Sequence, residues 1–130
     1  MFWGQGQTSV ANRQFIRWNL NPNIVFSVSG VARTGPSVLS AATWYHVALT
    51  HTNGSQNLYL NGSSTPEVSA ADTASYTSND IQTLGVSPLL AFPMNGNQVA
   101  WGIWSRILTS TEIANLYNSG NGAQYPFTGL

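Results

Sequence analysis

The stretch that most constrains the fold is residues 44–62, WYHVALTHTNGSQNLYLNG. Both of its halves alternate between apolar and other residues, in the period of two that a strand requires. Between the halves stands Asn53-Gly54, a dipeptide that suits tight hairpin turns because both residues tolerate positive φ. The stretch therefore predicts an antiparallel β-hairpin. The face that we expect to be buried carries Tyr45, Val47, Leu49, Leu58 and Leu60.

Further strands are predicted on both sides of this hairpin, because short β-branched and aromatic runs there are separated by turn residues. These strands cover residues 14–18, 24–29, 80–86 and 98–104. In the last of them, Val99, Trp101 and Ile103 share one face. No strand is predicted within residues 1–12. Loops, each with room for one short strand, are predicted at residues 30–43 and 63–79, and an irregular segment over the core at residues 89–94.

One helix is predicted, close to the C-terminus. Thr109 is its N-cap, and Glu112, three residues later, completes a capping box in which each side chain accepts a hydrogen bond from the other residue's backbone N–H. Gly120 suits the position just past the helix end because it tolerates left-handed backbone. We therefore predict a helix over about residues 110–119. Its apolar staple and face comprise Leu108, Ile113, Leu116 and Tyr117.

The composition limits the classes of partner. The chain of 130 residues has the length of one domain, 6% of its residues are charged and its net charge is zero. The chain has four basic residues, all of them arginines, and this number is too small to form the basic patch that nucleic-acid binders use. No apolar stretch has the length of a membrane helix, no secretory signal is visible and no cysteine is present. We expect no nucleic-acid partner and no membrane insertion.

Two blocks of the sequence resemble a known family. The hairpin WYHVAL…NLYLNG and the segment from GIWSR through EIANLYNSG resemble the central hairpin and the closing strand and helix of laminin-G-like domains. These domains belong to the concanavalin A-like lectin/glucanase superfamily and occur in phage and bacterial surface proteins. The resemblance implies an all-β fold, a two-sheet antiparallel β-sandwich of the concanavalin-like jelly-roll type with one short C-terminal α-helix. We expect residues 1–130 to form a single domain.

The resemblance also implies a shortened N-terminus. In the family, a further block of strands usually precedes the position at which this chain begins, so the chain looks N-terminally trimmed. An uncovered sheet edge promotes aggregation. We therefore expect self-association, or docking into a larger assembly such as a virion, to cover that edge.

The sequence lacks the arrangement of residues that a catalytic site needs. The four acidic residues are Glu67, Asp72, Asp80 and Glu112. A glycosidase needs two carboxylates at the scissile bond, and no closely spaced acidic pair occurs on one strand. His46 and His51 lie on opposite faces of one strand, so they form neither a dyad nor a metal site; His46 is expected to be a structural hydrogen-bonding residue. Glu67 and Asp72 are expected to be solvated loop residues. We therefore expect no enzyme.

Calcium is the one cofactor that the resemblance raises. Some relatives bind it through loop carboxylates and carbonyls, and Asp72 with Asn79-Asp80 is the local supply of oxygen ligands. Val99-Ala100, however, stands where family members often carry an acidic pair just before the Gly-Ile-Trp segment. We therefore expect no metal and no other cofactor.

The aromatic and amide side chains of the sequence fit a role in carbohydrate recognition. Sugars stack their apolar faces on aromatic rings and meet amides or carboxylates with their hydroxyls, in concave sites. The chain has five Trp, five Tyr and many side-chain amides. Phe26, Trp44 and one of Trp101 or Trp104 are expected in the core. The predicted glycan-binding residues are Trp18, Tyr76, Asn79 and Asp80, with Tyr125 as a further stacking candidate; core or edge packing is the alternative for each aromatic residue.

These inferences favour a non-catalytic surface recognition module that binds glycan or cell-surface polysaccharide weakly. Multivalent display on a virion, as a phage fibre or capsid surface, or on a bacterial surface would raise its affinity. The alternative is a purely structural virion decoration or cement protein, and a trimmed glycosidase using Glu67 or Asp72 is the third hypothesis. The first two place the chain on a virion, outside the cell or at the cell surface.

Overall fold

The computed structural model describes residues 2–6, 13–18, 22–28, 31–52, 54–71, 81–86, 90–91, 93–123 and 126–127. Within these residues the chain forms eight β-strands in two antiparallel sheets, followed by one α-helix and a short 3₁₀ turn. The two-sheet β-sandwich with a C-terminal helix that the sequence predicts is therefore confirmed. In the same residues, no helix is long and apolar enough to cross a membrane.

The strands differ in length and are shared between the sheets as five and three. In chain order they are β1 Trp3–Gly6, β2 Arg13–Trp18, β3 Asn23–Val28, β4 Val31–Val38, β5 Val47–Thr52, β6 Ser55–Leu60, β7 Val68–Ala70 and β8 Ile81–Leu84. The helix, α1, is Ser110–Tyr117, and the 3₁₀ turn is Asn118–Gly120. The larger sheet has the order β4-β3-β2-β1-β8 and the smaller β5-β6-β7. The first strand thus lies inside its sheet, whose edges are β4 and β8.

The predicted hairpin is confirmed. β5 and β6 pair from Val47 opposite Leu60 to Thr52 opposite Ser55. Gly54 has a φ of +105°, the region that glycine adopts without steric cost. The predicted turn therefore lies between the two strands, and the return strand begins at Ser55.

An apolar cluster lies between the two sheets. Ile16 of β2 and Ile24 and Phe26 of β3 are buried together with Leu58 of β6 and with Leu39, which follows β4. The hairpin residues packed around this cluster include Tyr45, Val47, Leu49 and Leu60. The face of the hairpin that alternation predicts to be buried is therefore the core face.

Helix α1 packs on the opposite face of the hairpin. Leu108, Ile113 and Leu116 form a second buried cluster, hereafter the helix cluster, against Ala48 of β5 and Tyr59 of β6. Ala48 and Tyr59 alternate with core-facing residues in their strands, so they point away from the core. The smaller sheet is therefore covered by the larger sheet on one side and by the helix on the other.

The capping box is present at the helix start. The Thr109 hydroxyl accepts the Glu112 backbone N–H at 3.2 Å, and the Glu112 carboxylate accepts the Thr109 backbone N–H at 2.7 Å. The predicted helix end is wrong by two residues. Asn118 already adopts the left-handed conformation, with φ of 48° and ψ of 50°, so it ends the helix before Gly120 is reached.

Two strands lie where the sequence predicts none or only a short one. β1 is WGQG and β4 contains Gly35-Pro36, so neither shows a clear alternation. Both strands form by pairing with the more apolar β2 and β3. Proline is accommodated because β4 is an edge strand. A Cβ at Gly35 would stand 2.7 Å from the Glu67 side chain, so this close approach requires glycine.

The strand predicted at residues 98–104 is wrong. Ala100 has a φ of +55°, which interrupts the extended run, and these residues pair with no strand among the described residues. Val99 and Ile103 are 69% and 74% exposed as a result. The segment predicted to pack over the core at residues 89–94 also differs from expectation, because Leu90 is exposed.

Candidate functional site

An open groove of about 310 Å³ lies beside β8, the edge strand of the larger sheet. We call it the Trp3–Trp101 groove. Its lining residues are Trp3, Gln82, Leu84, Trp101, Gly102 and Ile103. It combines two indole rings, two aliphatic side chains and one amide, which is the mixture of apolar walls and few polar groups that small-molecule sites show.

Strand pairing positions one wall of this groove. Trp3 lies opposite Leu84 across the β1–β8 ladder, and Gln82, two residues before Leu84, shares their face. Trp3 also lies opposite Ile16, so this face is the one that carries the core. Among the described residues, the smaller sheet has three strands against five in the larger sheet. The groove occupies the end of the face at β1 and β8.

The other wall, residues 101–103, belongs to a segment that is held against β1. The Gln98 side-chain amide donates to the Phe2 carbonyl at 3.3 Å. Gly85, just after β8, donates its backbone N–H to the same carbonyl at 3.0 Å, and Met94 donates to the Gly85 carbonyl at 2.6 Å. These bonds bring the start of the chain and its last third together at the groove.

Trp104 supports this second wall from behind. A Cβ on Gly102 would collide with the Trp104 ring, so the ring lies directly against the backbone there. The ring also packs against the helix cluster and stands 5.8 Å from the Phe127 ring. Of the two tryptophans that the sequence offers for the core, Trp104 is therefore the packed one, while Trp101 is 43% exposed in the groove.

The described lining of the groove carries no charge. Arg106 is engaged elsewhere, in an ion pair with Glu112 at 2.6 Å. The Arg106 side chain, assisted by the Thr109 backbone, lowers the pKa of Glu112 to about 2. The Arg17 guanidinium lies 5.1 Å from the centre of the Phe15 ring. Phe15 is opposite Gly4, so these two side chains are on the far face of the larger sheet.

Glu67 joins the two sheets and does not line the groove. Its carboxylate accepts the Ser37 backbone N–H at 2.6 Å and the Ser37 hydroxyl at 3.0 Å, which ties β4 to the segment before β7. The expectation of a solvated loop carboxylate is therefore wrong for Glu67. Asp72 lies outside the described residues. Among the residues that the structure describes, no group of three His, Cys, Asp or Glu side chains comes together to hold a metal.

His46 has a structural position, as the sequence predicts, but not through a hydrogen bond of its ring to a described residue. Its backbone N–H donates to the Asn61 side chain at 3.0 Å, and its ring packs 5.9 Å from the Tyr117 ring. The ring Nδ1 is buried without a hydrogen-bonding partner among the described residues. This burial lowers the pKa of His46. His51 is exposed.

The predicted glycan-binding residues do not form a described site. Trp18 ends β2 opposite Ile24 and is 38% exposed, but it does not line the Trp3–Trp101 groove. Tyr76, Asn79, Asp80 and Tyr125 lie outside the described residues. Phe26 is fully buried, as expected, whereas the prediction of a core position for Trp44 is wrong because this residue precedes β5 and is 64% exposed.

Sequence reasoning missed the groove because its walls come from residues about one hundred positions apart. One local signal was present. In the segment of residues 98–104, Trp101 and Trp104 are three positions apart, so an extended chain puts them on opposite faces. Only one of them can pack beneath the helix, which leaves the other exposed.

Comparison with known proteins identifies a family whose model matches most of the chain. The family model Laminin_G_3, described as the concanavalin A-like lectin/glucanases superfamily, matches residues 3–114. No curated protein sequence matches. Among solved structures, the chain is similar to an S-layer domain-containing protein (residues 221–444) from Clostridium thermocellum ATCC 27405, with 21% sequence identity and a TM-score of 0.49. That similarity covers 84% of this chain and 58% of the other.

Proposed function

The chain belongs to the concanavalin A-like lectin/glucanases superfamily, and we propose that it is a non-catalytic recognition module that binds carbohydrate. The Trp3–Trp101 groove is the observation that carries this proposal. We further propose that the module is displayed in many copies on a surface, either that of a cell or that of a virion such as a phage fibre. Multivalent display would compensate for the weak binding of one shallow groove.

The groove supplies the two kinds of contact that sugars use. The exposed Trp101 ring and the partly buried Trp3 ring offer apolar faces on which a pyranose can stack. The Gln82 side-chain amide has both a donor and an acceptor, and it has no hydrogen-bonding partner within the described part of the chain. This amide can donate to and accept from sugar hydroxyls.

The described carboxylates support a role without catalysis. A glycosidase places two carboxyl groups on either side of the bond that it cleaves. Glu67 is bonded to Ser37 and Glu112 to Arg106 and Thr109, and neither lines the groove. A groove with aromatic walls and an amide can hold a sugar, but these groups provide no acid or nucleophile.

A glycan array probed with bead-clustered protein tests the proposal, and Trp101→Ala is the variant to compare with the wild type. We expect the wild type to bind a defined set of glycans and the variant to lose binding by about tenfold or more, as removal of a stacking ring does. Trp44→Ala is the matched control, because Trp44 is also exposed but does not line the groove. Equal binding by wild type and Trp101→Ala would contradict this placement.

The sequence-based surface remains the alternative contact site within the same function. It comprises Trp18, Tyr76, Asn79 and Asp80. Trp18→Ala can be tested in the array beside the groove variant, once thermal unfolding shows that the variant is folded. Loss of glycan binding in Trp18→Ala with full retention in Trp101→Ala would move the proposed site to this surface.

A structural role in an assembly is the second candidate function. The exposed apolar side chains of Val99 and Ile103, which lie in one segment, favour it, because exposed apolar surface can mark a site of protein association. A homo-oligomer seen by light scattering, together with a blank glycan array, would favour this role over the lectin-like one. A monomer that binds glycan would exclude it.

A further inference from the structure

We propose that the Trp3–Trp101 groove selects uncharged saccharides and rejects those that carry carboxylate or sulfate groups. This inference rests on the proposed function and adds the chemical class of the ligand. It follows from the charges of the described residues around the groove, from its neutral polar groups and from the cost of desolvating an anion.

None of the described arginine side chains lines the groove. Arg17 is on the opposite face of the larger sheet, and Arg106 is paired with Glu112. Arg33 is on β4, three strands from β1, which corresponds to roughly 14 Å at the usual strand spacing. Its guanidinium donates to the neighbouring Ala32 carbonyl at 3.3 Å. None of these cations is placed to compensate for an anionic ligand.

The polar groups of the groove are neutral and match hydroxyls. Gln82 offers an amide donor and an amide acceptor. The backbone N–H and C=O groups of residues 101–103 make no hydrogen bond with other described residues, because this segment joins no sheet. Both sets are mixed donors and acceptors, and a sugar hydroxyl can serve as either partner. A carboxylate or sulfate accepts only, so it leaves the acceptors of the groove unpaired.

The apolar walls add to this discrimination. An anion that stacks against Trp3, Leu84 and Trp101 loses part of its hydration, and no cation among the described lining residues compensates for its charge. An uncharged pyranose loses far less, because its apolar face is the part that contacts the rings. The groove therefore favours the neutral sugar.

Paired glycans test this inference. Each neutral glycan that the array identifies is titrated beside the same glycan with its primary alcohols oxidised to carboxylates, at low and at high salt. We expect the oxidised member to bind at least about tenfold more weakly, and the affinity for the neutral member to be independent of salt. Equal or tighter binding of the oxidised member would overturn the inference while leaving carbohydrate binding intact. If no glycan of either kind binds, the proposed function fails and this inference fails with it.

A gain-of-function variant provides a second test. Gln82→Arg places a cation in the groove, on an edge strand where the longer side chain has room. We expect this variant to recover binding of the oxidised glycans, and to do so most at low salt. His51→Arg is the control, because His51 is exposed on β5 and does not line the groove. An unchanged preference in Gln82→Arg would count against selection by charge.

Discussion

Burial in the folded protein disfavours the protonated form of His46. This residue lies half-buried on the β-hairpin, with its ring against Tyr117 at the end of α1. Its pKa is lowered from the usual 6.5 because the charged form is desolvated. The folded protein therefore binds a proton less readily than the unfolded chain does. The resulting contribution to stability is complete above pH 6.5 and is lost as the pH falls through the lowered value.

We predict that the free energy of unfolding falls between about pH 7 and pH 5, in the range where an ordinary histidine gains its proton. His46→Gln should flatten this part of the profile, because glutamine does not titrate. His51→Gln is the comparison variant, because it removes the other histidine of the chain, which is exposed. Urea unfolding at a series of pH values measures the slopes. A slope that persists in His46→Gln but vanishes in His51→Gln would reverse this assignment.

At the scale of the elements, the capping box stabilises the start of α1. Thr109→Ala removes the hydroxyl that accepts the Glu112 backbone N–H and should lower the free energy of unfolding by about 1 kcal/mol. Thr111→Ala is the control, because residue 111 is exposed within the helix and alanine is the better helix former. Thermal unfolding of both variants makes the comparison. An unchanged melting temperature in Thr109→Ala would show that the cap contributes little.

The turn after β6 holds the end of the helix. Gly62 has a φ of +67°, and a Cβ there would stand 2.7 Å from the Tyr117 side chain. Gly122 has nearly the same φ, +68°, with nothing within 4 Å. Both alanine variants should lose about 1 kcal/mol from left-handed strain, and Gly62→Ala should lose a further 1 to 3 kcal/mol, roughly, from overpacking. Equal melting temperatures for the two variants would show that the Tyr117 side chain moves aside without a loss of stability.

The sequence predicts those elements whose evidence is local. The hairpin has an Asn-Gly turn and clear alternation, and the helix has a complete capping box, so both are correct to within a few residues. β1 and β4 carry no such pattern and form by pairing with strands elsewhere in the chain. The segment of residues 98–104 alternates convincingly, yet Ala100 turns into the left-handed region and no described strand pairs with it. Strand pairing depends on tertiary contacts, so an alternating sequence pattern alone does not predict it.

At the scale of the whole molecule, the arrangement of layers creates the groove. Helix α1 covers one side of the smaller sheet and the larger sheet covers the other, and among the described residues three strands face a sheet of five. Residues from the first strand, the last strand and the segment before the helix meet there. Because residues from both ends of the chain form the groove, no local sequence pattern reveals it. The sequence analysis therefore chose Trp18 and missed Trp3 and Trp101.

The most direct test follows the indole N–H signals of the five tryptophans in a ¹H–¹⁵N spectrum, after each signal has been assigned by substitution. The protein is titrated with a glycan that the array identifies. We predict that the signals of Trp3 and Trp101 shift, that Trp104 responds weakly through its contact with Gly102, and that Trp18 and Trp44 do not move. Shifts confined to Trp18, or a saturating titration that moves neither Trp3 nor Trp101, would contradict the groove as the binding site.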